Sequence, residues 1–390
     1  MSGRTGRGLY IHIPFCRRRC SFCAFYLEIH QARVAEEFLS SLLTEMRLYG
    51  DLRLFGPEPM NSIYFGGGTP TTLSPQQLTT ILSEAKHSFV LAHDAEVTLE
   101  AHPESVTLDG LRHLRDGGFT RISFGAESMN QEELDLVGRP GSVLNNTHVV
   151  IAAREAGFTD INLDLMYGLP GQTIESWMAS LQRTIDLAPT HLSCYALTVE
   201  EGTGLQTAIQ RGTAPAPDEA LQNDMESLAE YLLDHAGYTR YELSNYCRSG
   251  FASRHNKLHW TGGQYLGLGP SAQSYVGSRR FGNVSDLIAY NRSLRDGTLP
   301  VAESEQLTRL EDSCERLVFG LRMTEGISLQ DKELLTLPRL SDTIHELIVD
   351  DLLERQGERI RLTTRGRRYA DSVAVTLLTS LDQPDRVPSP

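Results

Sequence analysis

The stretch Leu9-Tyr10-Ile11-His12-Ile13-Pro14-Phe15-Cys16-Arg17-Arg18-Arg19-Cys20-Ser21-Phe22-Cys23 governs the reading of the whole chain. Its first half, Leu9–Phe15, is a short apolar run rich in β-formers, the pattern of a strand buried on both faces of a parallel sheet. Its second half sets three thiols within eight residues directly after that strand. Three thiolates in so short a loop can wrap one compact centre. A structural zinc ion takes four ligands, and the remaining cysteines, Cys194, Cys247 and Cys314, stand singly and far along the chain. A Cys20–Cys23 dithiol is a second reading, but it leaves Cys16 without a role. A third is a [4Fe–4S] cluster held at three irons, whose fourth iron stays open for a ligand that then reacts. The three arginines between Cys16 and Cys20 would offset an anionic cluster, or form only a solvated loop.

Outward from this stretch the pattern of strand, turn and amphipathic helix repeats. Further strand candidates are Ser62–Gly66, Ala95–Ala101, Arg121–Gly125, Ile161–Tyr167 and His191–Val199, each short and apolar. Helix starts lie between them: Ser74, Pro75 and Gln77 read as an N-cap, a first-turn proline and a capping-box partner. Thr173 with Glu175 opens another. Six such units with right-handed crossovers predict an α/β fold, a partial (β/α)6 TIM-like barrel two units short of closure. Something else must then cover the open side. The rhythm breaks after residue 200, where a helix is expected over Asp218–His235. From about Leu307 the pattern gives helices near Arg309–Leu321 and Ser341–Arg355, a hairpin at Glu358–Thr363 and a last helix, a winged-helix-like order. The expected division is 1–200 for the barrel with its cysteine loop, followed by a C-terminal α+β region made of an accessory part at 201–305 and a winged-helix-like module at 306–390.

The chain has 390 residues, with 36 Lys and Arg against 50 Asp and Glu, a net charge of −14. Such a balance repels nucleic acid, so Arg365, Arg367 and Arg368 read as a solvated basic face rather than a phosphate-binding wing. Six cysteines make no secreted disulfide framework in this length. The first residues, Met1–Gly8, are polar, and no run reaches the roughly 20 apolar residues of a membrane span. The expectation is a soluble, cytoplasmic protein.

CxxxCxxC after the first strand of a partial β/α barrel resembles the radical S-adenosylmethionine (SAM) superfamily. Further elements arrive in that superfamily's order: Gly66-Gly67-Gly68-Thr69-Pro70 after the second strand, Glu100 ending the third, Asp164 in the fifth. The resemblance implies a [4Fe–4S] cluster on Cys16, Cys20 and Cys23 whose open iron is chelated by SAM. It implies SAM contacts from Tyr10, Gly67, Gly68, Thr69, Glu100, Glu127, Arg139 and Asp164. A glycine-rich turn suits a close backbone approach to a ligand, although such a turn alone is more often simple punctuation. Asp164 can accept hydrogen bonds from ribose hydroxyls, or can cap the following turn.

Tyr10-Ile-His-Ile-Pro-Phe-Cys16, Asn162-Leu-Asp-Leu-Met-Tyr-Gly-Leu-Pro-Gly171 and Tyr265-Leu-Gly-Leu-Gly-Pro270 look like the coproporphyrinogen dehydrogenase superfamily, and in particular its HemW haem-chaperone branch. The true dehydrogenase carries a further Cys two residues after the third, where Phe25 stands here, and a longer arm before the cysteines. The resemblance therefore argues against coproporphyrinogen III dehydrogenase activity. The branch bears a haem-associated HNxxYW motif, matched by His255-Asn256-Lys257-Leu258-His259-Trp260 except that His259 replaces Tyr. On a helix His255 and His259 share one face, so the change can add an imidazole ligand, while Trp260 offers a flat apolar surface. Other departures are Gly125-Ala126-Glu127-Ser128 for a GVQS stretch, Glu100-Ala101-His102-Pro103 for EANP, and Pro140-Gly141 where a His commonly follows. Replacing Gln by Glu127 removes two donors and adds charge beside a zwitterionic ligand.

The function implied is haem binding and delivery to an acceptor haemoprotein, soluble or membrane-associated, with haem as cargo. The alternative is a radical SAM methyltransferase acting on an aromatic or heterocyclic substrate, and a third reading makes the cysteines a degenerate zinc site.

Overall fold

The structure is a computed structural model describing residues 6–330, 334 and 337–382. The polar start at residues 1–5 lies outside the described residues. Six strands lie side by side in chain order and all parallel: β1 (Arg7–Ile13), β2 (Met60–Gly67), β3 (Leu91–Ala101), β4 (Arg121–Glu127), β5 (Asp160–Tyr167) and β6 (His191–Ala196). Helices α1 (Ala32–Leu52), α2 (Pro75–Ser88), α3 (Leu108–Gly117), α4 (Val143–Glu155) and α5 (Ile174–Asp186) connect them. This is the partial barrel that the strand–helix rhythm predicts.

β1 is shorter at its carboxyl end than its apolar run suggests. Pro14 has no N–H for the ladder. Phe15–Cys16 instead pairs in parallel with Glu28–Ile29, closing the cysteine loop onto itself. β6 stops at Ala196 rather than at Val199, and β3 starts at Leu91.

Two additions lie at the edges. β7 (Thr239–Arg240) and β8 (Asn245–Cys247) continue the sheet antiparallel beyond β6. At the other edge, β9 (Gln264–Leu268) pairs parallel with β1 and is followed by β10 (Gln273–Val276), β11 (Arg279–Asn283) and β12 (Val301–Gln306). The result is a twelve-stranded open sheet. Its largest core, including Leu9, Ile63, Leu99, Ile122, Leu163 and Leu266, spans the barrel and these added strands alike. α6 (Glu219–His235) matches the helix expected over Asp218–His235, with Asp218 as its N-cap, and packs on α5.

The carboxyl-terminal module has a separate core of Leu317, Leu340, Ile344, Leu353, Ile360 and Leu377. Helix α8 (Arg309–Gly320) is followed by β13 (Ile327–Ser328), α9 (Pro338–Val349) and the hairpin of β14 (Leu353–Gln356) and β15 (Arg359–Leu362). Here the sequence reading needs correction. Leu353–Gln356 is a strand, not the end of a helix reaching Arg355, and Glu358–Thr363 covers only the second arm of the hairpin. The turn falls at Gly357, with φ +61°, and Asp351, with φ +56°, ends the preceding helix region. The basic tail is also bound rather than merely solvated. Arg367 pairs with Glu230 of α6 at 2.7 Å, and Arg368 donates to Ser227 at 2.8 Å. No helix among the described residues is long and apolar enough to cross a membrane.

Candidate functional site

At the carboxyl ends of the barrel strands lies a cavity of about 620 Å³. Cys16, Cys20 and Cys23 line it together with Gly67, Gly68, Thr69, Glu100, Glu127, Arg139 and Asp164. The loop is fixed to the barrel by backbone bonds from the glycine turn: Gly68 N–H donates to Ile13 O at 2.9 Å and Thr69 N–H to Phe15 O at 2.7 Å. A side chain has no room in this turn. A Cβ on Gly68 would sit 2.7 Å from the Phe15 carbonyl oxygen, and one on Gly67, already at φ +109°, 2.7 Å from the His12 ring. These two glycines are thus required by packing against His12 and the Pro14–Phe15 backbone, whether or not a ligand also approaches them.

Each thiol has a distinct neighbourhood. Cys16 Sγ lies 3.4 Å from Thr69 Oγ1, and Cys20 Sγ accepts from Arg139 Nη1 at 3.6 Å. Burial raises the Cys16 thiol pKa, opposed by the Thr69 contact. Burial likewise raises that of Cys23. Arg17, Arg18 and Arg19 are exposed, and Arg19 donates to the Cys23 carbonyl at 3.2 Å.

Beside the thiols, beginning at Arg139, the same cavity carries charged groups. Glu127, at φ +63° and beside the β4–β5 register shift, turns its carboxylate to Arg139 at 3.3 Å and accepts from the Tyr195 hydroxyl at 2.7 Å. Burial works against the Arg139 charge, but Glu127 and Cys20 outweigh it and raise the pKa. Burial raises Glu127, with Arg139 pulling the other way. Glu100 is pushed up to about 7 by burial, against the Tyr64 hydroxyl that donates to its Oε1 at 2.6 Å. Asp164, raised by burial, accepts from Asn162 at 2.7 Å and from Ser123 at 3.3 Å. His102 is pushed down to about 3 by burial and then by Arg139, so its ring is neutral.

The His255–Trp260 stretch lies at the other mouth, against the amino ends of the strands. It forms helix α7 (Arg254–Trp260). Glu96 on β3 receives its first turn, accepting from Ser253 Oγ at 3.2 Å, Arg254 N–H at 2.8 Å and His255 N–H at 3.2 Å. His255 is buried, with Nδ1 3.0 Å from Ser62 Oγ and Nε2 3.3 Å from His259 Nε2. His259 and Trp260 line a recess of about 330 Å³ with Tyr265, Tyr275, Arg280 and Arg316; His255 does not. Burial pushes His259 down to about 4, leaving a neutral imidazole above that pH. Arg322 lies 4.4 Å over the Trp260 ring. Tyr10 lines neither space: its ring stacks between the mouths on Tyr64 and His255.

Residues 10–184 match the Radical SAM superfamily, and residues 307–369 match the HemN C-terminal domain. The heme chaperone HemW of Mycobacterium tuberculosis is 38% identical over 384 residues, covering 95% of this chain and 94% of that protein. The chain belongs to the HemW family of the radical SAM superfamily. The heme chaperone HemW of Bacillus subtilis is 30% identical, over 96% of this chain and 100% of the relative. A mouse mitochondrial relative, radical S-adenosyl methionine domain-containing protein 1, is 35% identical over 98% of this chain and 89% of its own length. Coproporphyrinogen III oxidase (HemN) of Escherichia coli, a radical SAM enzyme, has the same fold, with a TM-score of 0.83 at 25% identity over 95% of this chain and 90% of HemN.

In this HemW-family chain the departure at Glu127 is absorbed by partners that no motif marks. Tyr195 faces Glu127 from β6, two strands away. The loop carrying Arg139 is anchored by buried Glu133, which accepts from Ser128 at 2.5 Å, Ser176 at 2.6 Å and Gln172 at 3.0 Å. The sequence offers no periodic signal for either group.

Proposed function

We propose that the chain is a haem chaperone, holding a [4Fe–4S] cluster and SAM at one barrel mouth and haem at the other, and passing the haem to an acceptor haemoprotein. The observation that carries this reading is the separation of the two mouths. A radical enzyme must hold its substrate against the reactive ligand, because chemistry needs reacting atoms in near contact. Here His259 and Trp260 face a recess away from the thiol cavity, which suits haem as cargo rather than as substrate.

The thiol cavity fits the group it is assigned. Three cysteines line it, a hydroxyl meets Cys16, and a guanidinium faces Cys20 to offset negative charge. Cys16, Cys20 and Cys23 hold the cluster. When bound, it supplies one-electron chemistry and an open coordination position. Glu100 and Asp164 would accept hydrogen bonds from SAM; Gly67, Gly68 and Thr69 line the same cavity, and Arg139 is fixed by Glu127. Tyr10 supports this cavity from behind, through Tyr64.

At the other mouth His259 is the haem ligand and His255 orients it, since a ligating imidazole commonly has its second ring nitrogen held by a partner. Trp260 supplies an aromatic surface; Arg280, paired with Glu315, and Arg316, beside Asp312, line the same recess, and the haem carboxylates would share these cations with those acids. Residues 1–200 thus carry the cluster and SAM, 201–305 the haem ligand, and 306–390 a module that lends Arg316 and Phe319 to the recess.

Haem titration followed at the Soret band tests the assignment. His259→Ala is expected to change the band and weaken haem binding by at least about 10-fold, a loss of about 1.4 kcal/mol. His255→Ala is expected to act less strongly. An unchanged band and affinity in both variants would remove this mouth from the account.

A further inference from the structure

A column of side chains crosses the barrel interior and joins the two mouths. His259 and His255 meet at 3.3 Å between their Nε2 atoms. The His255 ring stacks on Tyr64, with centroids 5.0 Å apart and planes 23° from parallel. Tyr64 donates its hydroxyl to Glu100 Oε1 at 2.6 Å, and Glu100 lines the thiol cavity. Tyr10 stacks along the same column, 6.2 Å from Tyr64 and 6.3 Å from His255. The column is held from its sides: Ser62 fixes His255 Nδ1 at 3.0 Å, and Tyr10 bonds the His12 ring at 3.2 Å.

This arrangement has a physical consequence. A ligand cation or donor at the thiol cavity competes with the Tyr64 hydroxyl for the Glu100 carboxylate. A Glu100 carboxylate drawn to a ligand would leave the Tyr64 hydroxyl without its acceptor. The neighbour stacked on Tyr64 must then re-pack, because close-packed interiors change between discrete arrangements and do not yield smoothly. His255 passes the change to His259, whose ring faces the recess.

We propose that Tyr64 couples the two mouths, so that SAM in the thiol cavity alters haem affinity at His259 through Glu100, Tyr64 and His255. The inference rests on the haem-chaperone reading above and assigns it a control element. Tyr64 acts as a positioning residue, touching neither haem nor SAM. Because such coupling is reciprocal, haem must change SAM affinity by the same factor.

The test uses the full chain, reconstituted with iron and sulfide without oxygen. Haem dissociation constants come from Soret titrations with and without saturating SAM, and SAM binding from the shift of the reduced-cluster EPR signal. The wild type is expected to show a ratio of about 5-fold or more between the two haem constants, matched in the reverse titration. Tyr64→Phe, which keeps the ring and drops the hydroxyl, is expected to bind both ligands with the ratio reduced toward 1. Ser62→Ala, which frees His255 at its other nitrogen, is expected to reduce it as well. A wild-type ratio of 1 with both ligands bound would overturn the coupling and leave the chaperone reading standing. So would a ratio that survives in both variants. A chain that binds SAM but takes up no haem would overturn both.

Discussion

Glu127 shows what one carboxylate needs before it can occupy a buried wall. Its charge is matched by Arg139 and its second oxygen by Tyr195. Tyr195→Phe leaves that oxygen unpaired, at an expected cost of about 1–3 kcal/mol in urea unfolding, with iron content after reconstitution unchanged. Equal stability would mean that Glu127 finds another donor. Glu45 gives a pH-dependent case. It is fully buried in α1, and accepts from Gly269 N–H at 2.8 Å and from Tyr290 and Asn283, both at 2.6 Å. Burial nevertheless pushes its carboxyl up to about 7 from 4.5. The folded chain then binds more protons than the unfolded one between those values. The resulting stabilisation is complete below about pH 4.5 and is lost as pH rises through about 7, up to about 3 kcal/mol. Glu45→Gln is expected to flatten the fall in urea midpoint between pH 5 and pH 8 relative to wild type; parallel slopes would contradict this. The cysteine trio was legible because its members are neighbours in sequence. Tyr195, Glu133 and Glu45 were not, because their partners come from other strands and helices and leave no trace in local spacing.

α7 is short, and a helix of this length is marginal without help from the fold. Glu96 provides that help by receiving three donors at the helix start. Glu96→Ala strands those donors and is expected to destabilise the chain by about 2–3 kcal/mol and to weaken haem binding together with it. Ser253→Ala removes the N-cap acceptor and one of the three donors to Glu96, and is expected to cost about 1–2 kcal/mol. Guanidinium unfolding of the two variants should rank them in that order. Most strands were readable from their apolar runs, whereas the exact ends were not. Pro14 cut β1 short by removing a donor, and Leu353–Gln356 continued the apolar-polar rhythm of the preceding helix closely enough to pass for its last turn. That the motif helix sits at the amino ends of the strands was not legible either, since nothing local in His255–Trp260 says which mouth of the barrel it closes.

At the scale of the molecule, one sheet and its core carry both mouths, and the carboxyl-terminal core stands apart from them. Ile360, fully buried in that second core, is a direct probe of its independence. Ile360→Ala is expected to cost about 2–5 kcal/mol within the module, with the reconstituted iron content held at the wild-type level. Loss of iron uptake would show instead that the barrel depends on the module. The partial barrel and the composite C-terminal module followed from the alternation of elements. The parallel docking of β9 on β1, which covers one open side, did not, because its strand comes from a region with no such alternation. The account as a whole stands or falls on the trio of thiols. Oxygen-free reconstitution followed by EPR of the reduced protein, with and without SAM, measures it most directly. The prediction is a [4Fe–4S] signal, lost in a Cys16→Ala, Cys20→Ala, Cys23→Ala triple variant, that shifts when SAM is added. Stoichiometric zinc without iron, or a cluster signal indifferent to SAM, would contradict it.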